Sequence, residues 1–456
     1  MLQGRYIPVG MRPSTAPPAE ACEVDPARTF GVRAMIGGSS EMNNSQTMKR
    51  WDGTVAPGFE RVRDAFVGGL DDFGHGGGAL SAYVDGRPIV DLWGGNARQG
   101  QAWERDTLTT IFSTTKALAT LCAQILFDRG RLDLDARVAD IWPEFGAAGK
   151  EHIRVRHILS HTSGVLSPLN VADIVTWQGD GWNDHQRIAA GLAAAAPAVT
   201  VGATFAYGAF TFGWLLDELV RRITGESIGA FFRREVDEPL NLDIRIGTPR
   251  SVHPRVAHFI PEPSRQLAPE AAGKIAQALA IARDPSTLTG QAFLALSDGD
   301  LLDNLAVVNL PAFQEAEIPA INGTATARSL ARLFAVLAEG GELEGVRVVS
   351  QASIRRFRTI QINAPNALDL EGDPPGDAIE LHRRMLGYHG SSKPYGLPRR
   401  LGPSDSAFGH DGAGGQVAFA DPKAGIAAAF VRSQWTWTTT YSARLLELVY
   451  SCAGRE

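Results

Sequence analysis

The sequence predicts an α+β fold: an antiparallel sheet flanked by helices and built from both chain ends, plus an all-helical domain. Apolar strand patterns with turn residues between them occur within 79–93 and again within 415–432. Strands joined by such short turns pair antiparallel. Between the two ends, apolar residues recur mostly at helical spacing. This order implies one discontinuous α/β domain that has a helical insertion.

The N-terminal elements follow one another closely after Pro57. Apolar residues within 59–70 have helical spacing, and two strand patterns follow at 79–84 and 89–93. The residues between those strands, 85–88, read Asp-Gly-Arg-Pro, which is a turn by composition. A helix followed by a β-hairpin is therefore expected here.

Helical patterns dominate the middle of the chain. A short apolar and β-branched segment, 107–112, leads into a helix that runs from Ser113 to a glycine stop at Gly130. Residues 212–223 predict a clear amphipathic helix. The stretch 248–320 has weak periodicity and predicts no definite element.

The C-terminal part returns to strands. A helix predicted at 325–337 is closed by a glycine pair. Apolar strands at 415–420 and 426–432 flank a turn, and a final helix contains the leucines and valine of 445–449. These strands are the second contribution to the predicted sheet.

These patterns divide the chain into three parts. Residues 1–50 mix Pro, Gly, Ser and Asn with both signs of charge, which predicts a disordered tail or an extension. Residues 51–112 and 325–456 are expected to form the discontinuous α/β domain, and 113–324 a mainly helical domain. The helix that begins at Ser113 starts at the boundary between the two predicted domains, where clefts are common.

Composition narrows the range of functions. A net charge of −6 gives no reason to expect a nucleic acid or an anionic membrane as partner. No stretch approaches the roughly 18 continuous apolar residues of a membrane-spanning helix. The three cysteines are far apart and odd in number, so neither a disulfide framework nor a zinc site is expected. We expect a cytoplasmic protein that uses no metal or organic cofactor, binds a small molecule and can be a homo-oligomer.

The strongest chemical signal is the pair Ser113 and Lys116, three residues apart at the start of a helix. Positions i and i+3 share one helix face, so the hydroxyl and the amine can meet. A serine hydroxyl is a weak nucleophile at neutral pH unless a base lies beside it. Lysine becomes that base when burial lowers its pKa from about 10.4. The pair therefore predicts an active-site serine.

Further motifs follow in a fixed order. The chain contains Ser113-x-x-Lys116, then His-Ile-Leu-Ser-His-Thr-Ser-Gly at 157–164, then Tyr207, then Gly-His-Asp-Gly-Ala-Gly-Gly at 409–415. With these motifs, roughly residues 50–450 resemble the serine β-lactamase and penicillin-binding-protein superfamily, on its class C side. The resemblance is closest to family VIII carboxylesterases. It implies a β-lactamase-like fold and a serine hydrolase that works through an acyl-enzyme.

The resemblance also implies roles for individual residues. Ser113 would be the nucleophile and Lys116 the base that takes its proton. Tyr207 would pass protons to the leaving group and help to activate the hydrolytic water. The backbone N–H groups of Ser113 and Ala413 would form the oxyanion hole. Each residue also has a non-catalytic interpretation: Ser113 as a helix N-cap, Lys116 as a surface residue and Tyr207 as a core aromatic.

Two departures from the family pattern concern the substrate. His410 and Gly412 lie where relatives have Lys-Thr-Gly and would face the substrate, although His410 could also be a plain turn residue. A histidine replaces a permanent cation that would meet a β-lactam carboxylate. Ala209 replaces an amide side chain that would hold a substrate amide. Both departures favour a carboxylesterase over a β-lactamase or D,D-peptidase-like amide hydrolase, with an acyltransferase as a further alternative.

Two rival interpretations start from other motifs. Residues 225–229 read Gly-Glu-Ser-Ile-Gly, and with His-Gly-Gly-Gly at 75–78 they suggest an α/β-hydrolase that uses Ser227. That motif requires a strand before the serine, whereas 212–223 has helical spacing, so Gly225 is expected to end a helix. A non-catalytic sensor or assembly protein on the same fold is the second rival.

Other candidate ligands and lining residues have structural interpretations. His157 and His161 are four residues apart but have no carboxylate at helical spacing, so we expect structural hydrogen bonds rather than a metal site. Trp177, Trp182 and Phe293 could line a cleft, but packing in the core is the favoured interpretation.

Overall fold

The computed structural model describes residues 51–262, 269–371, 380–392 and 399–455. The predicted tail at 1–50 lies outside these residues. The strands are β1 Trp51–Val55, β2 Gly77–Val84, β3 Arg87–Arg98, β4 Gln101–Ala102, β5 Thr109–Thr110, β6 Ile244–Arg245, β7 Thr324–Ala325, β8 Glu342–Leu343, β9 Val346–Arg347, β10 Ile362–Ala364, β11 His382–Arg384, β12 His389–Gly390, β13 Phe408–Gly412, β14 Gln416–Asp421 and β15 Ile426–Arg432. The α-helices are α1 Glu60–Gly68, α2 Thr115–Asp128, α3 Val138–Ile141, α4 Val155–Leu159, α5 His185–Ala194, α6 Thr211–Thr224, α7 Ile228–Phe232, α8 Pro269–Ala282, α9 Leu288–Ala292, α10 Pro311–Glu315, α11 Ala327–Ala338, α12 Gln351–Phe357 and α13 Thr440–Cys452.

A large antiparallel sheet is built from both ends of the chain. Its strands lie in the order β1-β3-β2-β15-β14-β13-β12-β11-β10, and β4 pairs antiparallel with β3 outside this order. The pairing of β2 with β15, in which Leu80 lies opposite Phe430, joins the N-terminal strands to the C-terminal ones. The predicted α+β class and the β-lactamase-like sheet are confirmed.

The predicted hairpin of β2 and β3 forms, but β3 is longer than expected. Asp85 and Gly86 both have positive φ, 48° and 72°, as a two-residue hairpin turn requires. The strand continues past Trp93 because Gly94 and Gly95 pair with the glycines of β2. A side chain at Gly77 would place its Cβ 2.6 Å from the Gly94 carbonyl oxygen. These glycines permit close approach of two backbones.

Helices cover both faces of the sheet. On one face, α1 and α13 pack over alternate strand residues such as Leu80 and Ala82. On the other, α11 packs against β2, β14 and β15, where Ala79 and Tyr83 point. The alternation of side chains along each strand therefore supplies two separate hydrophobic layers.

The helix α2 is buried on every side, from Thr115 to Leu126. It packs against α6 and α7 of the helical region and against the sheet strand β13. A helix in such surroundings is normally apolar all round. Lys116 is therefore held inside the protein by the position of its own helix.

The region of weak periodicity contains the 14-residue helix α8 and the shorter helices α9 and α10. In the described part of the chain, no helix has the length and apolarity that a membrane crossing needs. The boundaries between the α/β domain and the helical domain stay a prediction.

Candidate active site

Ser113 lies in a tight 3-10 turn, Phe112–Thr114, immediately before α2. Phe112 has a φ of 45°, a left-handed conformation that costs a non-glycine residue about 1–3 kcal/mol. Its buried ring is held edge-on between Phe259, at 5.0 Å between centroids, and Trp435, at 6.2 Å. Packing of the Phe112 ring therefore holds the turn that positions the Ser113 hydroxyl.

Lys116 lies on the same face one turn later, as predicted, and its side chain is fully buried. Nζ is 3.3 Å from Oγ of Ser113 and donates hydrogen bonds to the carbonyl oxygens of Ala209, at 2.7 Å, and Ala320, at 2.9 Å. Burial, followed by repulsion from the Arg384 guanidinium, lowers the pKa of Lys116 well below its usual value. The amine is therefore poised to be neutral.

The three contacts of Nζ have a consequence for proton transfer. The carbonyl oxygens of Ala209 and Ala320 can only accept hydrogen bonds. A neutral amine has two hydrogens and one lone pair, so donating both hydrogens to these carbonyls leaves the lone pair for Ser113. The geometry thus orients the amine as an acceptor of the serine proton.

Tyr207 completes a triangle with these two residues. Its ring centroid is 4.8 Å from Nζ of Lys116. Burial raises the pKa of its phenol, and this outweighs an opposing hydrogen bond with Ser113. Tyr207 is therefore a neutral phenol at physiological pH, able to donate a proton.

Two residues hold Tyr207 in place. The ring of His161 stacks on that of Tyr207, with 4.8 Å between centroids, and Nδ1 of His161 accepts from the N–H of Gly208 at 3.2 Å. Oδ1 of Asn366 accepts from the N–H of Tyr207 at 3.1 Å. Burial lowers the pKa of His161 well below its usual value, so the ring is neutral. His157 caps α4 through Nδ1, and both histidines have the structural roles predicted for them.

The strand β13 approaches the serine turn very closely. A Cβ built on Gly412 would lie 2.4 Å from the carbonyl oxygen of Ile111 and 3.1 Å from Oγ1 of Thr114. Ala413, which follows β13, is exposed and lines the same cleft as Ser113. Glycine at 412 therefore permits the edge of the sheet to lie against the turn that contains Ser113.

Replacing Gly412 with alanine should lower the thermal stability together with the turnover of the esters that the sequence leads us to expect as substrates. The added methyl group must displace backbone atoms, and overpacking of this kind costs about 1–3 kcal/mol. Thermal unfolding and turnover measured on the same preparation check this expectation. Gly454, which has nothing within 4 Å of a Cβ, is the matched control site, although its positive φ of 64° adds a small backbone cost. An unchanged melting temperature in Gly412→Ala would contradict the close approach.

His410 lies on the cleft wall beside Tyr207 but does not supply a positive charge there. Nδ1 donates to the Asp411 carbonyl oxygen at 2.6 Å, and Nε2 is buried without a hydrogen-bond partner among the described residues. Burial, with repulsion from nearby cations, lowers the pKa of His410 well below its usual value. The neutral ring supports the expectation that this position lacks the permanent positive charge of the lysine found there in relatives.

A polar network behind His410 was not predicted. Asp411 pairs with Arg400 at 2.9 Å and with Nε2 of His389 at 2.8 Å, and Arg400 also pairs with Glu380 at 3.1 Å. Burial alone would raise the pKa of Asp411, but Arg400 and His389 hold it well below the usual range. Donor atoms of His389, His410 and Asp411 lie within 4.8 Å of one another, the spacing of a metal site. Both oxygens of the Asp411 carboxylate are, however, already engaged by cationic or donor groups.

These residues surround a cleft of about 540 Å³. Of the aromatic residues considered from the sequence, Phe293 lines the cleft, whereas Trp177 and Trp182 are buried in the core. The cleft is lined by Ser113, Tyr207, Phe293, Asn366, Asp369, Glu380, His382, Arg384, Arg400, His410, Asp411, Gly412, Ala413, Gly414, Gly415, Trp435, Thr436, Trp437, Thr438 and Thr439.

The rival nucleophile Ser227 has a structural role. It is the N-cap of α7, accepting from the N–H of Ala230, and its hydroxyl donates to Glu317 at 2.7 Å. Gly225 ends α6 in the left-handed conformation, with φ 82°. A helix rather than a strand precedes Ser227, so the strand–turn–helix geometry of a nucleophile elbow is absent at this position.

The fold and its sheet are those of the β-lactamase and penicillin-binding-protein superfamily of serine hydrolases. The chain belongs to the β-lactamase family, whose sequence profile matches residues 62–449.

Three relatives illustrate the similarity. An esterase/β-lactamase LipL from Mycobacterium tuberculosis is 35% identical over 396 residues, which is 85% of this chain and 83% of that protein. A penicillin-binding protein homologue from Caulobacter crescentus is 32% identical with a TM-score of 0.72, covering 88% of this chain and 100% of that one. A family VIII carboxylesterase is 30% identical with the same TM-score of 0.72, covering 88% and 100% respectively.

Proposed function

We propose that the protein is a carboxylesterase that forms an acyl-enzyme on Ser113. The proposal depends on one observation, the fully buried amine of Lys116 at 3.3 Å from the serine hydroxyl. Two relatives of at least 30% identity have esterase in their names, which supports an ester as the substrate.

Acylation begins when the Ser113 hydroxyl attacks the ester carbonyl carbon and its proton passes to Nζ of Lys116. The carbonyl oxygen becomes an oxyanion, and the backbone N–H groups of Ser113 and Ala413 would stabilise it. Collapse of the tetrahedral intermediate breaks the bond to the alcohol. The phenol of Tyr207 donates a proton to the departing alkoxide and recovers one from Lys116, so the proton taken from the serine leaves with the alcohol.

Deacylation uses the same groups in reverse order. Water enters the site left by the alcohol and attacks the acyl carbon, and its proton passes to the Tyr207 oxygen as the phenol proton moves to Lys116. The intermediate then collapses and the serine oxygen recovers a proton. An alcohol in place of water would give acyl transfer by the same steps.

Turnover of β-lactams should be much weaker than ester hydrolysis. A charge-assisted hydrogen bond to the substrate carboxylate from a lysine at position 410 is missing, because His410 is neutral. Such a bond contributes about 1.5–3 kcal/mol, so kcat/KM for a chromogenic cephalosporin should be at least about tenfold below that for p-nitrophenyl butyrate. Equal values for the two substrates would favour the amide-hydrolase alternative.

A fluorophosphonate probe followed by mass spectrometry tests the nucleophile and the class of protein. An adduct on Ser113, with rapid release of acyl groups from p-nitrophenyl esters of different chain length, supports the esterase. An acyl adduct that persists for hours indicates a sensor, and faster release in the presence of added alcohol indicates an acyltransferase. The absence of an adduct would remove the enzymatic proposal.

The pH dependence follows from the direction of the Lys116 pKa. The base must be neutral, so activity is lost below the folded-state pKa of Lys116 and appears as the pH rises through it. Because burial lowers that pKa, the rise should occur well below the range in which free lysine titrates. Initial rates measured from about pH 5 to 9 check this, and a flat profile would contradict it.

A further inference from the structure

Arg384, the last residue of β11, is a buried cation without a counter-ion on the wall of the cleft. Its side chain is only 8% exposed. The guanidinium carbon lies 4.6 Å from the Phe205 ring centroid and 5.3 Å from the Tyr207 ring centroid. Within the described part of the chain its Nε has no hydrogen-bond partner, and no carboxylate lies within ion-pair distance of it.

The nearby carboxylates are committed to another residue. Asp411 and Glu380 act on Arg384 electrostatically, but both form ion pairs with Arg400, at 2.9 and 3.1 Å. Asp411 is also bound by His389 and Glu380 by Ser392. Stacking on two aromatic rings compensates only part of the cost of burying a charge. The guanidinium therefore lacks the planar anionic partner that its geometry is suited to bind.

The position of Arg384 indicates which half of an ester would meet it. In the proposed mechanism, Tyr207 donates its proton to the departing alkoxide. The alcohol half of the ester therefore lies on the Tyr207 side of Ser113. Arg384 packs against the Tyr207 ring and lines the same cleft. Phe293 and Trp435 also line the cleft, which suits an alcohol with an aromatic body.

We propose that Arg384 binds a carboxylate on the alcohol half of the ester substrate. This inference rests on the proposed esterase function and refines it, since the substitution of His410 alone suggested esters without a carboxylate anchor. Arg384 on β11 and His410 on β13 lie on different strands, so a carboxylate bound by Arg384 would occupy a different position from the β-lactam carboxylate that a lysine at 410 would meet. The substrate class is then an ester of an acidic, preferably aromatic, alcohol.

A pair of matched esters tests the proposal. The butyrate esters of 3-hydroxybenzoate and 3-hydroxybenzamide share the acyl group and the ring, and differ in one carboxylate. We expect kcat/KM to favour the carboxylate ester by at least about tenfold. In Arg384→Met the ratio should fall to about one, and Arg384→Lys should retain part of it because the charge remains. Both esters meet the same Ser113 and Lys116, so any effect of Arg384 on the chemical step cancels in the ratio.

Arg358→Met is the matched control variant. Its guanidinium also lies over an aromatic ring, 5.0 Å from the Phe408 centroid, but it donates to the Ser406 carbonyl oxygen at 2.8 Å and does not line the cleft. The ratio should be unchanged in this variant. A wild-type measurement avoids dependence on folding: free 3-hydroxybenzoate should inhibit hydrolysis of p-nitrophenyl butyrate at least about tenfold more strongly than 3-hydroxybenzamide.

The outcomes separate this inference from the proposed function. A ratio near one in the wild-type protein, or one unchanged in Arg384→Met, would overturn the carboxylate site and leave the esterase intact. A preference for monophenyl succinate over phenyl butyrate, without one for the benzoate ester, would overturn the placement on the alcohol half. Failure to hydrolyse any of the esters would instead reject the proposed function.

Discussion

Replacing Lys116 with alanine is expected to lower kcat/KM for ester hydrolysis by at least about a thousandfold, and Ser113→Ala by a similar factor. The lysine amine is the one basic group within hydrogen-bond distance of the Ser113 hydroxyl among the described residues. Without it the serine must lose its proton to water, at a pH far below its own pKa. The double variant should be about as inactive as either single one, because the two residues act as a unit. Steady-state rates with p-nitrophenyl butyrate measure the loss.

The chain offers a matched control for each substitution. Lys150 is also fully buried and donates to the carbonyl oxygens of Ala147 and Ala193, each at 2.9 Å, and of Ala195. Lys150→Ala should lower the stability while the folded fraction keeps its activity. Ser227→Ala is the control for the nucleophile. Full activity in Lys116→Ala, or its loss only in Ser227→Ala, would contradict the assignment.

The parts of the fold that the sequence predicts are those with regular and local patterns. The amphipathic helix α6 and the hairpin of β2 and β3 show clear periodicity, and both form, α6 at nearly the expected bounds and the hairpin with a longer second strand. The position of Ser113 and Lys116 on one helix face follows from the spacing of three residues alone. The α+β class follows because hairpins at both ends must share a sheet to bury their apolar faces.

The parts that the sequence does not predict depend on contacts between distant segments. The strands β10, β11 and β12 contain only two or three residues each, too few to show an alternating pattern. Those strands and their connections contribute Arg384 and Asn366 to the cleft. Asn366 meets Tyr207 across 159 positions of sequence, and no local rule relates the two. An unpaired charge such as that of Arg384 is recognisable only when its surroundings are known.

Tyr207→Phe is expected to lower kcat by about 10²–10⁴-fold, the range typical for loss of a general acid or base. The loss should depend on the leaving group. A p-nitrophenolate departs readily without a proton, whereas an alkoxide from an ethyl ester needs one, so the ethyl ester should lose more activity. Burial keeps the Tyr207 phenol protonated at neutral pH by raising its pKa, and this makes it a proton donor in the resting enzyme. Rates for a series of butyrate esters with alcohols of increasing pKa measure the dependence.

Removal of a buried hydroxyl could also lower activity by disturbing the fold, and Tyr388→Phe controls for that effect. The hydroxyl of Tyr388 is buried and donates to Oε1 of Gln124 at 2.9 Å, outside the cleft lining. Its loss should reduce stability by about 1 kcal/mol or somewhat more without any dependence on the leaving group. If Tyr207→Phe lowers the rates of all esters by the same factor, the hydroxyl only positions other groups and the proton for the alkoxide comes from Lys116 directly. The measured quantity is the slope of the logarithm of the rate against the pKa of the leaving alcohol. A steeper slope in Tyr207→Phe than in the wild-type protein, with no change in Tyr388→Phe, identifies the phenol of Tyr207 as the proton donor.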